Sequence, residues 1–155
     1  MNTLQVSKFY VIGLSVRTTN ENGKAKKDIG ALWHKFMSEN IFEKLPHATD
    51  QTIYAVYTDY ESDHTKPYTT ILGYKVTDLN TIPEGMVGKQ INSGNYTQFI
   101  AKGDLTNNAV IDQWIKIWDS DLDRTYSSDF EVYGEKAIDP TNGEAELFIA
   151  INNLN

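Results

Sequence analysis

The sequence predicts an α+β protein built from two copies of a β-α-β-β unit. Three observations support this fold class. The helix-like run LWHKFM at residues 32–37 is echoed by QWIKIW at 113–118. The strand-like run YAVY at 54–57 is echoed by FEVY at 130–133. Strand and helix periodicities also alternate in the same order in both halves. We therefore expect antiparallel sheets, two main helices and a pseudo-twofold axis.

The first module is predicted to span about residues 9–78. Residues 9–17 are rich in β-branched and aromatic side chains, which is typical of a strand. From residue 27 the apolar residues recur at helical spacing as far as Ile41, which predicts an amphipathic helix. Residues 52–60 and 68–77 then predict two strands joined as a hairpin.

The second module is predicted to span about residues 95–152, and its elements repeat the order of the first. Residues 95–102 predict a strand, and the apolar spacing from Val110 to Trp118 predicts a helix. Residues 129–136 and 144–152 predict two further strands. Residues 81–88 contain one proline and two glycines and are interpreted as the connection between the halves. The whole chain, residues 1–155, is expected to be one domain.

Composition excludes several classes of function. The formal net charge of −7 argues against direct binding of nucleic acid, which requires a basic surface. The chain has no cysteine, so disulfides and thiolate metal sites are excluded. Its three histidines, His34, His47 and His64, lack zinc-site spacing. We expect no metal and no cofactor. The sequence contains no signal peptide and no membrane-spanning apolar run, so a cytoplasmic location is the default expectation.

Glu131 is the leading candidate functional residue, because the second repeat places it where the first has Ala55. Strand alternation puts Glu131 and Tyr133 on one face and Phe130 and Val132 on the other. If the face with Phe130 and Val132 meets the helices, Glu131 and Tyr133 share the opposite face. A carboxylate in an aromatic strand is costly to bury without a cationic or hydrogen-bonding partner.

Two interpretations of Glu131 follow from the residues alone. A carboxylate among aromatic rings suits an organic cation, through charge pairing and cation–π contact. Alternatively, Glu131 is an ordinary strand residue that faces water or pairs with Lys136 or Arg124.

Aromatic residues near these elements also have two interpretations. Trp33, Trp114 and Trp118 lie on apolar helical faces, so core packing is the default expectation. Tyr57 and Tyr133 occupy matching places in the two repeats. They either face each other across the pseudo-axis or lie on the strand surface.

Several motifs together resemble a known family. IYAVYTDYESD at 53–63, QWIKIW at 113–118, DFEVYGEK at 129–136 and ELFIAI at 146–151 occur in the family's order. In these motifs the chain resembles the GyrI-like (gyrase-inhibitor-like) effector-binding proteins. That group includes the ligand-binding domains of AraC-type and MerR-type multidrug regulators, and stand-alone bacterial and integron-cassette proteins.

This resemblance implies a duplicated fold with an aromatic cleft between the halves, holding lipophilic and often cationic molecules. It places Glu131 at the base of that cleft. The residues expected to form the walls are Tyr57, Tyr68, Tyr133, Trp33, Trp114 and Trp118.

The resemblance leaves two alternatives to reversible binding of a small molecule. In a small hydrolase, Glu131 would act as general base or nucleophile and Tyr133 as the acid. In a protein-interaction module, the partner would be gyrase or a regulator. Because no helix-turn-helix is recognisable, we expect no direct contact with nucleic acid, and we expect no membrane association.

Overall fold

The computed structural model describes residues 2–152 and confirms the predicted α+β fold class. Met1 and residues 153–155, which the predicted domain includes, lie outside the described residues. The two helices are α1, Lys24–Ser38, and α2, Ala109–Trp118. The strands are β1 Asn2–Val6, β2 Phe9–Thr18, β3 Ala48–Thr58, β4 Tyr68–Val76, β5 Val87–Ile91, β6 Gly94–Gly103, β7 Ser128–Tyr133 and β8 Gly143–Ile151.

All eight strands form one antiparallel sheet, in the order β1-β6-β8-β7-β3-β4-β2-β5. This order is symmetric about the junction of β7 and β3. The unit β2-α1-β3-β4 on one side corresponds to β6-α2-β7-β8 on the other. In both units the third strand lies between the first and the second. The duplicated topology predicted from the repeat is therefore present.

The two edge strands, β1 and β5, were not predicted from the sequence. β1 precedes the first unit but pairs with β6 of the second, and β5 precedes the second unit but pairs with β2 of the first. Four of the five residues of β1 are exposed. Such a strand is held by backbone hydrogen bonds along one edge, so its sequence needs no alternation of apolar and polar residues.

The sheet buries both of its faces. One face packs against the helices, with Leu32 and Phe36 of α1 on the first unit and Trp114 and Ile117 of α2 on the second. The other face forms a cluster of strand residues that includes Phe130. The condition considered from the sequence, that Phe130 and Val132 meet the helices, therefore does not hold.

The physical reason is that the long sheet curls and packs on itself. Aromatic strand residues such as Phe9, Tyr96 and Phe148 fill the interior of this curl, where Phe130 stacks on Phe148 at a centroid distance of 4.9 Å. Glu131 consequently points toward the two helices. Within residues 2–152, neither helix is long and apolar enough to cross a membrane.

Candidate functional site

A cleft lies between α1 and α2 above the centre of the sheet. It has two adjoining lobes of about 780 and 700 Å³. The first lobe contains Glu131 and Tyr133, and the second contains Arg124 and Trp118. Residues that line both lobes lie on both helices, on β3 and in the turn before α2: Ile29, Trp33, Tyr57, Thr106, Asn107, Ile111 and Trp114. The lobes are therefore two parts of one cavity.

Glu131 lies on the wall of the first lobe and is only 2% exposed. Three side chains donate hydrogen bonds to its carboxylate. The Tyr57 hydroxyl and the Trp114 indole Nε1 donate to Oε2, at 2.9 and 2.6 Å. The Tyr133 hydroxyl donates to Oε1 at 2.5 Å. The strand, its neighbouring strand and α2 thus each supply one donor, and all three donors are neutral.

No cationic side chain within residues 2–152 forms a salt bridge with Glu131. Arg124 pairs with Asp129 and Lys136 pairs with Glu144, so both partners suggested for Glu131 from the sequence are wrong. Burial raises the pKa of Glu131, while the hydrogen bonds from Tyr133, Trp114 and Tyr57 oppose that rise by favouring the anion. The carboxylate is held by hydrogen bonds, but its charge is not neutralised.

Two aromatic pairs flank Glu131 with matching geometry. Trp33 packs edge-on against Tyr133, with centroids 5.2 Å apart. Trp114 packs edge-on against Tyr57, also at 5.2 Å. Each tryptophan belongs to one module and contacts the tyrosine of the other. The pairs differ in one respect, because only Trp114 donates a hydrogen bond to Glu131.

The flanking tyrosines remain neutral hydrogen-bond donors. Burial and the negative charge of Glu131 raise the pKa of both Tyr57 and Tyr133 well above the usual value. The same two effects raise the pKa of Tyr68 to about 12. A neutral phenol donates to Glu131 and keeps its ring available for contact with a ligand.

The remaining predicted site residues, Tyr68 and Trp118, line the second lobe. The Tyr68 hydroxyl donates to Asn20 Oδ1 at 2.6 Å, and its ring lies 6.1 Å from that of Tyr57. The Trp118 ring is nearly parallel to that of His64, at 5.8 Å. The cleft therefore brings together all seven predicted residues, five of them at the first lobe.

A buried ion pair at the edge of the second lobe, between Arg124 and Asp129, was not predicted from the sequence. Arg124 Nη2 donates to Asp129 Oδ2 at 2.8 Å, and Asp129 also accepts from the Tyr60 hydroxyl and the Ala150 backbone N–H. Alternation along β7 indicated that Asp129 shares a face with Glu131. The sequence offered Arg124 as a partner of Glu131, and nothing in its loop position indicated that it would pair with Asp129 instead.

Comparison with known proteins identifies the family of this fold and cleft. Residues 4–151 match Cass2, the family of integron-associated effector binding proteins. An integron cassette protein from the mobile metagenome of Vibrio cholerae is 33% identical. The match covers 97% of this chain and 95% of that one, with a TM-score of 0.75.

Two further relatives are more distant in sequence. YobU of Bacillus subtilis (strain 168), a proposed transcriptional regulator, is 27% identical over 90% of this chain and 89% of its own. SAV2435, whose structure is solved bound to tetraphenylphosphonium, is 15% identical in sequence. Its structure matches 98% of this chain and 93% of its own with a TM-score of 0.79, so the two proteins share the fold. The resemblance drawn from the sequence motifs is confirmed: the chain belongs to the Cass2 family of integron-associated effector binding proteins.

Proposed function

We propose that this protein reversibly binds lipophilic organic cations in the cleft between its helices, with Glu131 as the counter-charge. The observation that carries the proposal is the buried, ionisable Glu131, which is held by three neutral donors and paired with no cation among residues 2–152. A cation that entered the first lobe would supply the missing opposite charge in a desolvated setting.

The chemistry of the first lobe fits a soft cation better than a strongly hydrated one. Oε2 of Glu131 already accepts two hydrogen bonds and Oε1 accepts one, so few acceptor positions remain for an ammonium donor. Trp33, Tyr57, Trp114 and Tyr133 offer ring faces and edges around the carboxylate. A delocalised or quaternary cation needs charge and π contact rather than directed hydrogen bonds.

Reversible binding is better supported than hydrolysis. A hydrolase would need a tyrosine hydroxyl that gives up a proton readily. Here the hydroxyls of Tyr57 and Tyr133 donate to Glu131, and their pKa values are raised. The family description and the complex of SAV2435 with tetraphenylphosphonium further support small-molecule binding, and they suggest a probe.

Tryptophan fluorescence provides the test, since Trp33, Trp114 and Trp118 all line the cleft. Wild-type protein is titrated with tetraphenylphosphonium and with tetraphenylborate, which have nearly the same shape and opposite charge. We expect saturable quenching by the phosphonium and at least about tenfold weaker binding of the borate. Equal affinity for the two ions would overturn charge recognition, and the absence of phosphonium binding would overturn the proposed function.

A further inference from the structure

The two lobes of the cleft carry opposite charge. Among the described residues that line the first lobe, Glu131 is the only charged side chain. Among those that line the second lobe, the charged side chains are Lys26 and Arg124, and no carboxylate is present. Asp129 lies behind Arg124 and does not line either lobe. A molecule that occupied both lobes would therefore meet an anionic pole and a cationic pole.

Arg124 has unused hydrogen-bonding capacity at the second lobe. Its side chain is 3% exposed, and Nη2 is taken by Asp129. Nε and Nη1 are buried and have no hydrogen-bond partner. The guanidinium lies 4.3 Å from the ring centroid of Tyr126, and Tyr60 and Trp114 are at 6.0 Å. Buried donors without acceptors are unfavourable, so an acceptor group brought by a ligand would gain a hydrogen bond that the site now lacks.

His64 adds a second polar group with a free nitrogen to the same lobe. Its ring stacks on Trp118, and its Nδ1 is buried without a partner. Burial and the nearby charge of Arg124 lower the pKa of His64, so the imidazole is neutral and able to offer either a donor or an acceptor. Arg124 and His64 thus present unpaired nitrogen atoms around one aromatic compartment.

We propose that the second lobe is a subsite for a hydrogen-bond acceptor, either a carboxylate or a carbonyl, and that the cleft accepts bipolar aromatic ligands. The acceptor end pairs with Nη1 of Arg124, the terminal nitrogen that Asp129 leaves free. The cationic end lies against Glu131, and for that end the inference rests on the proposed function. Asp129, which anchors Arg124, and Glu131 are two residues apart on β7, a separation of about 7 Å. β7 therefore brings the anchor of Arg124 and the counter-charge Glu131 close together on one face of the sheet.

The test compares tetraphenylphosphonium with two derivatives that carry a carboxylate or a methyl ester at the para position of one ring. We expect the carboxylate derivative to bind wild-type protein at least about tenfold more tightly than the parent ion. If only the carboxylate derivative binds more tightly than the parent ion, the subsite takes an anionic acceptor. If the ester derivative gains affinity equally, the subsite takes a neutral carbonyl. Equal or weaker binding of both derivatives would overturn the subsite while leaving the proposed function intact, and failure of the parent ion to bind would count against the proposed function itself.

A double variant locates the subsite. Arg124→Gln combined with Asp129→Asn replaces the buried ion pair with two amides and leaves no single unpaired charge. With folding checked by circular dichroism, we expect the carboxylate-to-parent affinity ratio to fall to within about threefold of unity. A ratio that stays at the wild-type value in this folded variant would place the acceptor elsewhere and contradict the assignment to Arg124. The wild-type comparison of the three ligands needs no variant and decides the proposal if the double variant does not fold.

Discussion

Ala55 and Glu131, which occupy the same position in the two strand repeats, lie directly opposite each other on β3 and β7. The pairs on either side are Tyr54 with Val132 and Val56 with Phe130. The repeat matches Tyr54 with Phe130 and Val56 with Val132, so a twofold rotation converts one of these pairs into the other. The local twofold axis therefore passes between Ala55 and Glu131. Two glutamates at this place would bury like charges side by side, so the symmetry is broken by an alanine that is 0% exposed.

This arrangement predicts the effect of restoring the symmetry. Ala55→Gln should lower the free energy of unfolding by about 1–3 kcal/mol, because the site is fully packed. Ala55→Glu should cost more near neutral pH, because a second buried carboxylate adds repulsion to the same overpacking. Urea denaturation of both variants measures the difference, and acidification should reduce it as one carboxyl takes up a proton. Equal stability of the two variants near neutral pH would contradict the predicted contact with Glu131.

Binding of tetraphenylphosphonium should depend on pH through Glu131. The pKa of this carboxyl is raised by burial, so the anion is lost as pH falls through a value above the usual 4.5. Affinity should therefore be constant at higher pH and should decrease as pH falls through that value. A series of fluorescence titrations at different pH gives the midpoint.

Removing one donor should move this midpoint. Tyr133→Phe deletes a hydrogen bond that favours the anion, so the pKa of Glu131 and the midpoint should shift to higher pH. Tyr68→Phe is the matched control, since the Tyr68 hydroxyl donates to Asn20 instead. The same shift in both variants would argue against a specific effect of the Tyr133 hydroxyl on Glu131.

The two ion pairs Arg124–Asp129 and Lys89–Asp59 should contribute very differently to stability. Arg124→Gln leaves Asp129 buried without its partner and should lower the free energy of unfolding by about 3–5 kcal/mol. Lys89→Gln breaks a pair in which Asp59 is 54% exposed, and it should cost about 0–1 kcal/mol. If urea denaturation shows similar losses of unfolding free energy for the two variants, the Arg124–Asp129 pair does not behave as a desolvated ion pair.

The parts of the fold that leave a pattern of apolar side chains were predictable from the sequence. The repeat and the two periodicities identified both helices and the six central strands. The strand predicted for 129–136 ends early at Tyr133, because Gly134 and a short 3₁₀ segment at Glu135–Ala137 follow it. β1 and β5 were missed because their exposed residues form no apolar stripe, and only the curled sheet provides their partners.

The site was predictable only in part. The replacement of Ala55 by Glu131 in the second repeat pointed to Glu131, and the resemblance supplied its aromatic neighbours. The direction in which the Glu131 side chain points was not predictable. Both faces of β7 are buried, so the alternation of its residues does not show which face meets the helices. For a similar reason Arg124 was offered as one alternative partner of Glu131, whereas in the structure it pairs with Asp129. Asp129 and Glu131 share one face, and only the path of the loop decides which of them Arg124 reaches.

The most direct test of the central claim is the affinity of Glu131→Gln for tetraphenylphosphonium, measured by tryptophan fluorescence with triphenylphosphine oxide as a neutral aromatic control. Loss of a desolvated charge pair should cost about 2–5 kcal/mol, or about 30-fold or more in affinity. The neutral control should bind both proteins almost equally. A loss of only about 0–1 kcal/mol, the value for an exposed pair, would contradict the assignment of Glu131 as the counter-charge.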